Sequence, residues 1–94
     1  MKVVWNRIPL KQVRDQVMWY QTHCGLEFVA SFSANIYNTV QQIAQMPTMG
    51  VMVKQESHRT IRKLVAHPGC IILYAYNTTT IRILRLLFTR MKNE

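Results

Sequence analysis

Acidic side chains are scarce in this sequence: Asp15, Glu27, Glu56 and Glu94 are the only four among 94 residues. They are widely separated, so catalysis by paired carboxylates has poor support. Cysteine is nearly absent as well. Cys24 and Cys70 are far apart, and neither has a second Cys or His at ligand spacing, which argues against a zinc site. Two buried, reduced thiols are the expected state, with a disulfide as the alternative. His23, His58 and His67 are scattered and read as ordinary surface or turn residues. There is no glycine-rich phosphate loop, no GxSxG and no HExxH. No apolar run approaches the roughly 20 residues that span a bilayer. The start, MKVVWNRIPLK, carries no long apolar segment of the secretory kind. A cytoplasmic location is expected, with no cofactor, no metal and no membrane partner.

What is present in excess is positive charge. Twelve Lys and Arg against the four acids give a formal charge of +8. Such a field favours an acidic protein or a nucleic acid as partner and speeds encounter with it. The apolar fraction of 49% argues against disorder. A chain of this length supplies one core, so residues 1–94 are expected to form a single domain.

The last third, Arg59 to Lys92, organises the rest. His67-Pro68-Gly69 suits a tight turn, with Pro presetting φ and Gly supplying a positive one. Asn77-Thr78-Thr79 suits a second turn. Between and around them lie three runs rich in Ile, Leu, Val, Tyr and Thr. Short connections between such runs predict an antiparallel three-stranded meander. Thr60 to Val65 carries Arg62 and Lys63, as a charge-defended edge strand does. Cys70 to Tyr76 is apolar nearly throughout, as a central strand should be. In the final strand Ile81, Ile83, Arg85 and Leu87 alternate with Arg82, Leu84, Leu86 and Phe88, so both faces carry apolar residues.

The first half has to cover one side of that sheet. Met1 to Trp5 reads as a short strand joining the meander at an edge. Asn6 suits a helix N-cap, with Pro9 in the first turn. Leu10, Val13, Val17, Tyr20 and Cys24 then follow helical spacing up to Gly25. Val29, Phe32, Ile36, Val40 and Ile43 mark a clearer second helix, which Pro47 ends. Pro47 to His58 shows no period and reads as a loop. The predicted architecture is α+β: a short N-terminal strand, an antiparallel two-helix hairpin, and a small C-terminal antiparallel sheet, β-α-α-β-β-β. The alternative is a helical hairpin on an incomplete sheet that a partner chain finishes.

The chemistry legible in the residues is limited. Arg59, Arg62, Lys63, Arg82, Arg85 and Arg90 form a set of cations that suits stabilising a phosphorane, with His58 or His67 as base. Nothing in the spacing fixes their geometry, and a solvated basic face is the simpler reading. Tyr74 and Tyr76 alternate on one face of the central strand. They suit base stacking or packing, and their neighbours Ile71, Ile72 and Leu73 favour packing. Met46, Met49 and Met52 suit an adaptable contact surface.

The order of elements, the Trp after the first strand, the helix ending MPTMG, and above all RKLVAHPGCIILYAY and TIRILRLLFTRMK resemble the ParE/RelE superfamily of bacterial type II toxins. The resemblance covers nearly the whole chain and is strongest in the second helix and the C-terminal strands. It implies a toxin neutralised by a co-expressed antitoxin. ParE-like members poison DNA gyrase, whereas RelE-like members cut messenger RNA on the ribosome. RelE-like nucleases tend to carry a basic residue where this chain has Ile71, and the ending Leu86 to Lys92 looks ParE-like. One departure is Phe88, where the family usually has His.

The resemblance therefore implies a binding-type inhibitor of gyrase or another topoisomerase, partnered by an acidic, ParD-like antitoxin. A ribosome-dependent endoribonuclease is the alternative, and a non-toxic interaction module of the same fold is a second one. Direct nucleic-acid binding is the lesser expectation. Residues expected to bind the target are Arg59, Arg62, Arg82, Phe88, Arg90 and Lys92. Residues expected to bind the antitoxin are Val13, Val17, Tyr74, Tyr76, Leu84 and Leu86. An acidic, flexible antitoxin that folds as it binds suits a chain of this charge.

Overall fold

The structure, a computed structural model, describes residues 1–88. Its elements are β1 (Lys2–Trp5), α1 (Arg7–His23), α2 (Leu26–Gln45), a 3-10 turn (Pro47–Met49), β2 (Val51–Gln55), β3 (Thr60–His67), β4 (Cys70–Tyr76) and β5 (Thr80–Phe88). The strands make one sheet in the order β1-β5-β4-β3-β2. β1 runs parallel to β5, and the remaining neighbours are antiparallel. This is the expected α+β arrangement, with the helical hairpin on one face.

One element departs from the expectation. The segment read as a loop, Pro47 to His58, contains the 3-10 turn and β2. β2 pairs with β3, so β3 is an interior strand and β2 is the edge. The register slips between Met52 and Lys54, which makes Val53 a bulge residue. That slip breaks the two-residue alternation on which a sequence reading depends.

The core forms where α2 meets the sheet. Phe32, Ile36, Val40 and Ile43 pack against Cys70, Ile72, Tyr74, Ile81, Ile83 and Leu86. Each fully buried aliphatic side chain here contributes about 1.5–3 kcal/mol. In β5 a register shift opposite Leu73/Tyr74 inserts one extra residue at Leu84. Simple alternation would put Arg85 beside Ile81 and Ile83. The bulge instead turns Leu86 inward and leaves Arg85 exposed. From α1, Val13, Val17 and Tyr20 pack against the core, whereas Leu10 and Cys24 are exposed. The expectation of two buried thiols therefore holds for Cys70 alone. Burial pushes the Cys70 thiol up to about 11.

Two contacts set the ends of the sheet. β1 stops pairing at Trp5, opposite Ile83. Beyond it the Gln12 side chain takes over: its Nε2 donates to Leu86 O at 2.9 Å, and Leu86 N donates to its Oε1 at 2.8 Å. A side-chain amide thus completes the β5 edge where the parallel strand ends. At the turn before β4, Gly69 has φ 78°, the conformation predicted there.

Candidate functional surface

Alternation divides the sheet into two faces. The helix side carries Val3, Trp5, Arg62, Leu64, Tyr74, Tyr76, Ile81, Ile83, Leu86 and Phe88. Cross-strand partners then define the outer face. Ala75 lies between Ile61 and Arg82, Leu73 between Lys63 and Arg85, and Ile71 between Val65 and Leu87. At the margins, Val51 pairs with Lys63, Lys54 with Ile61, and Val4 with Arg82. The outer face is therefore an apolar strip, half-exposed at Ile71 and Leu73 and buried at Ala75, with Lys63 and Lys54 on one flank and Arg82 and Arg85 on the other. Val65 and Leu87 are 64% and 40% exposed, so the strip reaches solvent at its far end.

The electrostatics of this face follow from the shortage of acids. Among the described residues the ion pairs are Lys11–Asp15, Lys54–Glu56 and Arg59–Glu56. Lys63, Arg82 and Arg85 pair with no described carboxylate. Arg82 Nη1 donates to Asn6 Oδ1 at 2.9 Å, and Arg85 Nη1 donates to Leu84 O at 2.8 Å. Glu56, at the β2–β3 turn, has its carboxyl held below the usual range by the hydrogen bond from Arg59 and then by the Arg59 and Lys54 charges. A partner approaching the outer face thus meets cations whose charge is not internally neutralised.

The expected site residues separate into groups. Arg82 is exposed on the outer face. Arg59 lies just before β3, its Nε 2.6 Å from Glu56 Oε1. Arg62 is on the helix side and half-buried, with Nε donating to Tyr76 Oη at 3.0 Å and Nη1 to Gly50 O at 2.7 Å. Phe88 is half-buried against the core. Arg90 and Lys92 lie outside the described residues.

Of the expected antitoxin contacts, Tyr74 and Leu86 are core residues, 0% and 1% exposed, so neither reaches the surface of the free chain; for Tyr74 this is the packing that its neighbours favour. The Tyr74 hydroxyl donates to Pro47 O at 2.6 Å and accepts from Gly50 N at 3.1 Å, tying the 3-10 turn to β4. Tyr76 is half-buried beside it, and Leu84 is the half-buried bulge residue. Because both tyrosines face the helices, neither offers a stacking platform on the outer face. Val17 packs inward, and Val13 also lines an apolar groove of about 280 Å³ with Trp5, Leu10, Ile36 and Tyr37.

The two candidate bases lie at opposite ends of β3. His67 is 7% exposed, under α2. Asn35 Nδ2 donates to its Nδ1 at 2.8 Å, and Phe28 and Phe32 contact its ring edge-on. His58 lies in the β2–β3 turn, with Ser57 Oγ 3.2 Å from its Nδ1.

Sequence reasoning missed the β2 edge. Val51, Met52 and Val53 are 67%, 48% and 50% exposed there. The Val-rich composition was its one available signal.

No protein-family model matches the sequence. No curated protein is significantly similar to it. Solved structures are similar in fold. A chain of the chromosomal ParDE TA system from P. aeruginosa superposes with a TM-score of 0.75 at 17% identity, over 96% of this chain and 97% of that one. The YoeB/ParE toxin from Agrobacterium tumefaciens gives a TM-score of 0.57 at 13% identity, over 96% of this chain and 100% of that one. The chain therefore has the ParE/RelE toxin fold.

Proposed function

We propose that this chain is the toxin of a type II toxin–antitoxin pair, and that it acts by gripping a macromolecular target with the outer face of its sheet. The single observation that carries this reading is the unneutralised cationic face, Lys63, Arg82 and Arg85 around an apolar strip. That combination suits an acidic protein surface, with apolar contacts at the centre and charge pairs at the rim. DNA gyrase or another topoisomerase is the target this reading favours over messenger RNA. A cleaving enzyme needs a base within hydrogen-bond reach of the proton it removes. Of the two candidate bases, His67 is enclosed by Asn35 and two phenylalanines, on the opposite side of the sheet from Arg82 and Arg85, and His58, in the β2–β3 turn, lines a cleft with Arg59 alone among the outer cations.

The antitoxin is an acidic segment whose apolar side chains enter the groove between α1 and α2. At about 280 Å³ the groove accepts a few side chains. Leu10 and Tyr37, 53% and 63% exposed, stand at its surface and suit helix anchors spaced three and four residues apart. This arrangement leaves the outer face as a separate surface.

The test is induction of the chain in a bacterial host, alone and with a neighbouring gene for an acidic protein, followed by supercoiling assays with purified protein. Growth arrest relieved by the neighbour and loss of gyrase supercoiling would support the full reading. Full supercoiling at saturating protein would remove gyrase as target. Cuts at defined codon positions in cellular messenger RNA would favour the nuclease alternative.

A further inference from the structure

At the turn end of the sheet two clefts share Arg59, Tyr76 and Asn77. The smaller, about 150 Å³, is lined by Arg59, Ala75, Tyr76, Asn77, Thr80 and Arg82. The larger, about 740 Å³, adjoins it and is lined also by Pro47, Gln55, Glu56 and His58. From this geometry we propose a binding site for a small phosphomonoester of mononucleotide size, its phosphate held between Arg59 and Arg82 and its body in the larger cleft. The proposal rests on these clefts and does not depend on the toxin reading.

Two guanidinium groups line the smaller cleft. Each carries five N–H donors in a planar fork that matches phosphate oxygens. Arg59 uses its Nε on Glu56, and Arg82 uses one Nη1 hydrogen on Asn6. Among the described residues their other N–H groups have no hydrogen-bond partner. Glu56 partly offsets the Arg59 charge, whereas Arg82 faces no described acid. Ala75 is the reason two long side chains share so small a cleft. It is cross-strand to Arg82, and its methyl group leaves the floor open. The Asn77 carboxamide oxygen is already taken by the Thr79 and Thr80 N–H groups, which leaves its Nδ2 as a further donor.

Size separates this site from a backbone-tracking surface. The small cleft suits one phosphate group. The larger one falls within the roughly 300–1,000 Å³ typical of small-ligand sites. Its lining mixes Tyr76 and Pro47 with Gln55, Glu56 and His58, so it offers both acceptors and donors to a polar aromatic body. The outer strip along β4 carries Ile71, Leu73 and Ala75 and no aromatic ring, so successive bases find no stacking platform there.

The test is a titration of the full chain by ¹⁵N NMR at low salt with inorganic phosphate, adenosine monophosphate and adenosine. Phosphate should shift the Arg59 and Arg82 Nε–H signals and the amides of Ala75 to Thr80. The monophosphate should shift these and the Gln55 to His58 amides, binding about tenfold or more tightly than phosphate, and adenosine should bind far more weakly. Arg82→Gln changes an exposed side chain and should weaken the monophosphate about tenfold, while Arg14→Gln on α1 should leave it unchanged. Equal shifts at Lys11, Arg14 and Arg85 would overturn the proposal. So would Arg82→Gln binding like the parent chain, or an oligonucleotide outcompeting the monophosphate through Lys63 and Arg85.

Discussion

Removing one oxygen from Tyr74 tests how the edge of the sheet is held. The Tyr74→Phe change keeps the ring in a site that is fully buried, so packing is preserved. It strands two groups: the Gly50 N–H, 3.1 Å from the hydroxyl, and the Pro47 carbonyl, 2.6 Å from it. A buried polar group left without a partner costs about 1–3 kcal/mol. With Gly50 buried and Pro47 half-buried, the change should cost about 2–4 kcal/mol in all. For a domain near this length that lowers Tm by roughly 10–25 °C. Urea denaturation of the parent and Tyr74→Phe gives the free energy, and hydrogen exchange at the Gly50 amide gives the location. Tyr37→Phe, at an exposed position, is the control and should change neither. A loss below about 0.5 kcal/mol with Gly50 still protected would mean that the hydroxyl does not anchor this turn.

Further outcomes follow from the same contacts. Gly50→Ala should destabilise the fold by at least about 1–3 kcal/mol in thermal denaturation, because a Cβ there would come within 2.7 Å of both Lys63 O and Tyr74 Oη. Gln12→Leu should cost about 1–3 kcal/mol, since it frees the Leu86 N–H and C=O. In the native protein a thiol reagent should modify exposed Cys24 and leave Cys70 untouched until the chain unfolds. The Cys70 pKa, raised to about 11, adds a pH dependence: its stabilisation is fully present below the unfolded thiol range, near 8.5, and is lost as pH rises toward 11. Leu10→Asp should leave the fold intact and weaken antitoxin capture by about tenfold or more, measured by calorimetry.

The sequence carried the helices and the central strand clearly. Phe32, Ile36, Val40 and Ile43 keep helical spacing without interruption, and all four are buried. Cys70 to Tyr76 is apolar because α2 covers one face and neighbouring strands flank both sides. The failures have local causes. β2 was illegible because a bulge at Val53 interrupts its alternation and all five of its residues are exposed. Whether Leu86 or Leu87 faces the helices is not legible in the sequence, because one extra residue at Leu84 inverts the pattern midway along β5. Packing of Tyr74 was legible from its apolar neighbours, but its hydrogen-bond partners are main-chain atoms of Pro47 and Gly50, which leave no trace in side-chain pattern. The cations were countable, but only the register separates Arg82 and Arg85 on the outer face from Arg62 on the inner one.

The most direct measurement compares growth after induction of the parent chain with that of Arg85→Glu, a change at an exposed residue that reverses one charge of the outer face. The account predicts arrest by the parent and near-normal growth with folded Arg85→Glu at equal protein level. Equal arrest by both would contradict the assignment of the cationic sheet face as the gripping surface.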